Sequence, residues 1–129
     1  MALILFVDDD PLTLEVLKKA VEIFGHQAIL AFSGKEALEQ AASASPDLIL
    51  VDMRLTDMDG LSVVSNLRAN PATTSIPAVI LSAGPELDAL ERAQAAGAMT
   101  YLHKPVQLQA LLDLIDQVTA SHNSPSPQP

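Results

Sequence analysis

Leu48-Ile-Leu-Val-Asp52-Met-Arg-Leu-Thr-Asp-Met-Asp-Gly60 is an apolar run that stops on a carboxylate. Four branched apolar residues in succession, introduced by Pro46-Asp47, suit a strand buried on both faces of a parallel sheet. Such a strand delivers its next residue, Asp52, to the C-terminal edge of the sheet, where open α/β sheets bind ligands. Taken alone, the stretch reads equally well as a strand whose last residue caps the following turn. The other strand ends decide between the two.

Upstream, Leu3 to Val7 is a second short apolar run, broken by Asp8-Asp9-Asp10-Pro11. Pro11 suits the first turn of a helix and Asp10 its N-cap. Leu14, Leu17, Val21 and Phe24 then recur at helical spacing up to the stop at Gly25. His26 to Ala31 reads as the second strand, and Ser33-Gly-Lys-Glu36 as a capping box opening a helix to about Ser43. Downstream of Gly60, a short helix over Leu61 to Leu67 and a polar loop from Asn70 to Pro77 lead to a fourth strand, Ala78 to Leu81. Pro85 and Glu86 open a helix through Ala96, Met99 to Leu102 is the fifth strand, and Val106 to about Thr119 the last helix.

Five βα units with right-handed crossovers and one reversal of winding give a doubly wound α/β sheet. The flavodoxin-like strand order 2-1-3-4-5 is expected, which sets the ends of the first and third strands side by side. Residues 1–120 form one domain on this reading. Ser121 to Pro129 has no apolar residue to bury and reads as a flexible tail or the start of a linker.

Composition narrows the function classes. Of 129 residues, 49% are hydrophobic and only 3% aromatic, so the core must be Leu, Ile, Val and Ala, which favours a helix-covered parallel sheet over a sandwich. A formal net charge of -9 disfavours direct binding to nucleic acid or anionic lipid, since both draw affinity from Lys and Arg. The absence of cysteine excludes disulfides and thiolate metal sites. No apolar run approaches a membrane span and the chain starts directly into a strand, so the expectation is a cytoplasmic protein without membrane contact.

Four strand ends carry polar groups: Asp8 and Asp9, Asp52, Ser82, and Lys104 just beyond the fifth strand. Each has an ordinary explanation alone, as a cap or a solvated loop charge. Their coincidence around one crevice does not. Crowded carboxylates repel unless a cation neutralises them, and hard oxygen ligands suit Mg²⁺ or another divalent ion such as Mn²⁺. Lys104 and Ser82 could hold phosphoryl oxygens, and Asp52 could attack phosphorus to give an acyl phosphate. Asp57 and Asp59 read as a solvated turn, His26 and His103 as structural or exposed, and Met53 and Met58 as packing residues.

These residues resemble the receiver domains of two-component response regulators, the family of the chemotaxis regulator, over about Leu3 to Thr119. The resemblance rests on Leu-Phe-Val-Asp8-Asp9-Asp-Pro, Leu-Ile-Leu-Val-Asp52, Val-Ile-Leu-Ser82-Ala and Tyr-Leu-His-Lys104-Pro105. It implies that Asp52 accepts a phosphoryl group from a histidine kinase or histidine phosphotransfer protein in a Mg²⁺-dependent reaction. It also implies metal ligation by Asp9, Asp52 and the backbone carbonyl of Arg54, with Asp8 acting mainly through water. Ser82 and Tyr101 would form a switch and the Lys104-Pro105 peptide would be cis. The signal would pass to a downstream protein or output domain through the face of the fourth helix, fifth strand and fifth helix. Thr56 replaces a common Pro, Val106 a common aromatic, and Gly84 and Arg54 occupy the positions that tune phosphate lifetime. A haloacid-dehalogenase-type phosphatase would need a second Asp where Arg54 stands. A flavodoxin-like cofactor site would meet repulsion from Asp8 to Asp10. A receiver-like module that only binds partners would not need all five signature residues. The expectation is therefore a phosphoacceptor signalling domain and not an enzyme with an external substrate.

Overall fold

In the computed structural model the apolar runs form strands, and the amphipathic stretches between them form helices. The structure describes residues 1–84 and 88–123. In chain order these are β1 (Leu3–Val7), α1 (Pro11–Ile23), β2 (Gln27–Ala31), α2 (Gly34–Ala44), β3 (Leu48–Asp52), α3 (Gly60–Ala69), β4 (Ala78–Ser82), α4 (Ala89–Ala96), β5 (Thr100–His103) and α5 (Leu108–Asn123). All pairings are parallel and the strand order is β2-β1-β3-β4-β5, the expected doubly wound, flavodoxin-like arrangement.

Strand alternation divides the core into two layers. Ile4, Phe6, Leu48, Leu50, Val79 and Leu81 meet α1 and α5 through Leu14, Leu17, Val21, Leu111 and Ile115. Leu5, Val7, Ile49, Val51, Ala78 and Ile80 meet α2, α3 and α4 through Ala37, Ala41, Val63, Val64, Leu67 and Ala93. Leu48 to Val51 are wholly buried because helices cover both faces of β3. Among the described residues no helix is long and apolar enough to cross a membrane.

Local chemistry explains where the element ends fall. Asp10 caps α1 by accepting the N–H of Leu12, with Pro11 at the first helical position. Ser33 caps α2 by accepting the N–H of Glu36, but the Glu36 carboxylate reaches past Ser33 to the N–H of Phe32, one residue beyond the reciprocal capping-box bond. β2 begins at Gln27 rather than His26, because the His26 N–H turns back to the carbonyl of Val21 while its Nδ1 accepts the N–H of Ala2. α3 is longer than its apolar positions imply, since Asp59 caps it from outside through the N–H of Ser62. α5 starts two residues after Val106 and continues past Thr119 to Asn123, because Ala120 to Asn123 contain no helix breaker ahead of Pro125. Pro85 and Glu86, expected to open the fourth helix, and residues 124–129 of the expected tail lie outside the described residues.

Arg68, at the end of α3, holds the far side of the sheet together. Its guanidinium donates to the carbonyls of Gly97 (2.9 Å), Thr74 (3.0 Å) and Ile76 (2.7 Å), with a longer contact to Thr73 (3.4 Å). Burial lowers its pKa below the ordinary guanidinium value, so these carbonyl dipoles are what offset its desolvation. Gly97 has φ 109°, and a Cβ there would lie 2.7 Å from Arg68 Cγ, so the turn after α4 needs glycine both for its backbone and for this approach. Replacing Arg68 by Ala is expected to cost about 2 kcal/mol through carbonyls left unpaired, measured by urea unfolding. Arg68→Lys should recover only part, because one ammonium cannot span the same carbonyls.

Candidate functional site

The register of the sheet makes the site. Val7 pairs with Val51 in adjacent parallel strands, so the next residues, Asp8 and Asp52, leave the sheet side by side. Asp9 follows on the same loop, and carboxylate oxygens of Asp8, Asp9 and Asp52 lie within 4.8 Å of one another. Asp8 and Asp52 are buried while Asp9 is exposed, which leaves the cluster open to solvent on one side. Three hard oxygen donors at this spacing, with room for water, fit a hexacoordinate Mg²⁺ or Mn²⁺.

Lys104 enters from the far edge. Ser82 pairs with His103, and the Lys104 N–H donates to the Ser82 carbonyl at 2.8 Å, which fixes the lysine backbone at the end of β4. Its ammonium then lies 3.3 Å from Asp8 Oδ2 and 3.4 Å from Asp52 Oδ2. The Lys104-Pro105 peptide is cis. A cavity of about 300 Å³ opens beside the end of β3, lined by Asp52, Met53, Arg54, Ser82, Ala83, Gly84, Arg92 and Lys104.

The electrostatics follow from crowding. Burial raises the Asp52 carboxyl above its usual value of 3.8, and the neighbouring Asp8 raises it further, while Lys104 and the Arg54 N–H oppose them without prevailing. For Lys104, burial pushes downward, but the Asp52 and Asp8 charges more than offset it and the ammonium is held above 10.5. The crowded carboxylates of Asp8 and Asp52 therefore favour positive charge at the cluster.

The loop after Asp52 is tied down at several points. Met53 donates to Leu81, Gly60 donates to Met53 at 2.7 Å, and Arg54 and Asp59 form an antiparallel bridge. A Cβ on Gly60 would lie 2.3 Å from the Asp52 carbonyl oxygen, so only glycine permits α3 to start this close to the end of β3. Asp57, expected in a solvated turn, instead accepts the N–H groups of Gly34 (2.8 Å) and Lys35 (2.9 Å) at the start of α2. These two backbone donors hold its carboxyl below 3.8. Asp59 caps α3.

Asp8, Asp9, Asp52, Ser82, Arg54 and Lys104 thus surround one crevice. Tyr101 stands apart from it, half-buried against the core layer of α2, α3 and α4 and paired in register with Ile80. Continuing the alternation of β4, Ser82 shares the Ile80 face and so the layer that α4 covers. Arg92 was not singled out by sequence, because a charge on an amphipathic helix resembles any solvated residue. The residue profile described as the response regulator receiver domain matches residues 4–116. The chain belongs to that family.

Among receiver relatives, the transcriptional regulatory protein ZraR of Salmonella typhimurium is 35% identical over 118 residues, covering 91% of this chain and 26% of ZraR. The transcriptional regulatory protein KdpE of Mycobacterium tuberculosis is 36% identical over 114 residues, covering 87% of this chain and 48% of KdpE. The chain therefore spans between about a quarter and a half of these curated relatives. The receiver domain of the Francisella response regulator 1452 superposes with a TM-score of 0.88 at 27% identity, covering 95% of this chain and all of that one. The Vibrio cholerae chemotaxis protein CheY4 gives 0.84 at 27% identity, covering 92% and 98%.

The Asp52 shift has a defined consequence for stability without metal. Because the folded-state value is raised, the native state holds its proton longer than the unfolded chain does. Asp52 therefore costs stability as pH rises from 3.8 through the raised value, and the cost is full above it. Asp52→Asn is expected to melt above wild type at neutral pH in chelator, with the difference narrowing as pH falls toward 3.8. A lower melting temperature would mean that the Lys104 ion pair outweighs burial and the Asp8 repulsion.

Proposed function

We propose that this receiver domain accepts a phosphoryl group on Asp52 from a phosphohistidine donor, either a histidine kinase or a histidine phosphotransfer protein, in a reaction that needs a divalent cation. The observation that supports it most is the approach of Asp8 and Asp52 to one ammonium, with Asp9 completing an oxygen cluster. A carboxylate oxygen of Asp52 forms the new P–O bond as the bond from phosphorus to the donor breaks, and the donor atom leaves with the electron pair. No separate general base is needed, because Asp52 attacks as a carboxylate with no proton to remove, the form that a cation at the cluster favours. Positioning and charge neutralisation are what remain for the protein to supply.

Asp9, Asp52 and the Arg54 backbone carbonyl would ligate the metal, with Asp8 acting mainly through water. Bound Mg²⁺ would neutralise charge on the transferring oxygens. Lys104 takes one phosphoryl oxygen and the Ser82 hydroxyl another. Ser82 gains a bond by moving toward the phosphoryl group, and Tyr101, on the same core layer, turns inward as the loop after β4 follows. The face of α4, β5 and α5 then changes shape toward a downstream protein or output domain. Turnover of an external substrate forms no part of this reading, and a cytoplasmic setting accords with the supply of phosphohistidine.

Incubation with acetyl phosphate and Mg²⁺ should add one phosphoryl mass to the intact chain. Asp52→Asn should remain unlabelled, and equal labelling of that variant would remove Asp52 from its role. Separately, Mg²⁺ should raise the wild-type melting temperature by binding the native state, by about 2.7 kcal/mol of stability at a hundredfold excess over Kd. Asp9→Ala should lose most of that rise, and an unchanged rise would take Asp9 out of the metal site.

A further inference from the structure

Helix α4 presents a second cation to the cavity beside Asp52. Arg92 lines that cavity together with Asp52, Ser82 and Lys104. It is exposed, and no hydrogen bond or ion pair of its side chain occurs among the described residues. Lys104, by contrast, is already engaged with both Asp8 and Asp52.

A charge count shows why a second cation matters. Phosphorylation replaces the single charge of the Asp52 carboxylate by a group carrying about −1.5 to −2. The strands supply no further ammonium or guanidinium to that side of the cavity, since Lys104 is shared between two acids. Of the two remaining cations lining it, Arg54 belongs to the acceptor's own loop and Arg92 to α4. Only the second connects the phosphoryl group to another element.

α4 is held in a way that lets such a pull act. It has eight residues, of which only Ala89 and Ala93 are buried, so little apolar surface anchors it. The Asp88 side chain makes no capping hydrogen bond at its start. Its end is fixed, because the Gly97 N–H closes the helix and the Gly97 carbonyl accepts from Arg68. Arg92 lies between the secured end and the lightly held one.

We propose that Arg92 pairs with an outer oxygen of the phosphoryl group on Asp52 and draws the N-terminal half of α4 toward the acceptor, so that the helix reads phosphorylation through an ion pair as well as through Ser82. The inference rests on Asp52 being the phosphoacceptor. A guanidinium suits the task, since its planar fork can place two N–H groups on phosphoryl oxygens.

The test is a beryllofluoride titration of the full chain with Mg²⁺, followed by backbone amide shifts, in wild type, Arg92→Ala and Arg92→Lys. Arg92→Ala should weaken beryllofluoride binding about fivefold, the scale of a solvent-screened ion pair. It should also abolish the shifts of Ala89 to Ala96 while those of Asp52 and Lys104 persist. Without beryllofluoride its spectrum and melting temperature should match wild type, because the side chain lost is exposed and pairs with none of the described residues. Arg92→Lys should restore part of both effects. The inference requires both losses in Arg92→Ala, so either one without the other overturns it. If wild type fails to bind beryllofluoride and acetyl phosphate fails to label it, the phosphoacceptor reading falls and carries this one with it. Normal labelling with an unaffected Arg92→Ala sinks this inference alone.

Discussion

Two buried carboxylates and one exposed one meet at the edge of a sheet with a single ammonium between them, and the arrangement depends on every strand being in its place. Asp8 and Asp52 come from neighbouring strands β1 and β3, whose register sets Val7 beside Val51. Lys104 comes from the loop after edge strand β5 and passes the end of β4 to reach both. A strand order that moved β5 elsewhere would leave the acids without that counter-ion. Burial raises the Asp52 pKa despite the lysine, so the apolar core beneath supplies the stability that the charges above it reduce.

The loop from Asp52 to Gly60 carries the same logic into backbone. Its residues project from the crevice, yet its geometry is set by contacts on both sides. Gly60 brings α3 against the Asp52 carbonyl, and Asp57 reaches to the first turn of α2. The Asp57 carboxylate satisfies two N–H groups that no intrahelical carbonyl can reach, at the positive end of the helix dipole. The loop that contains Arg54 is thereby fixed to a helix on the covered face of the sheet. A carbonyl on such a loop is available at low entropic cost to any ion that the acids attract.

The parts legible in the sequence are those in which one dimension suffices. Continuous apolar runs ending in Asp, Ser or Lys mark strands and their C-terminal edge, so Asp8, Asp9, Asp52, Ser82 and Lys104 could be named without knowing any contact. Element ends were less legible, because α3 depends on the side chain of Asp59 and the start of β2 on the His26 N–H turning back to Val21 while its Nδ1 accepts the N–H of Ala2. Arg68, Asp57 and Arg92 were not legible as structural or site residues at all. Asp57 and the bond from Arg68 to Gly97 act across a large separation in sequence, and a charge that meets backbone carbonyls or a distant helix start has the same local pattern as one facing water. Periodicity reports which face a residue occupies, and not what that face meets.

A switch in this fold has to be driven by contacts that differ between its two states, because a ligand shifts a population only by its differential affinity. Lys104 pairs with the Asp52 carboxylate before phosphorylation and, on the proposed reading, with a phosphoryl oxygen after it. It therefore contributes to both states, so it can hold the group but discriminate only weakly between conformations. The Ser82 hydroxyl and the Arg92 guanidinium are different, since neither has a bond to Asp52 in the resting structure and each would gain one. Both are joined to the α4 layer, Ser82 by the face of β4 it shares with Ile80 and Arg92 by the helix itself. With only two alanines of α4 buried, little apolar surface would oppose a movement of the helix. On the proposed reading the residues that would enable the chemistry and those that would transmit it are separable: Asp8, Asp52 and Lys104 sit at strand ends, whereas Ser82 lies on the face of β4 that α4 covers and Arg92 on α4 itself.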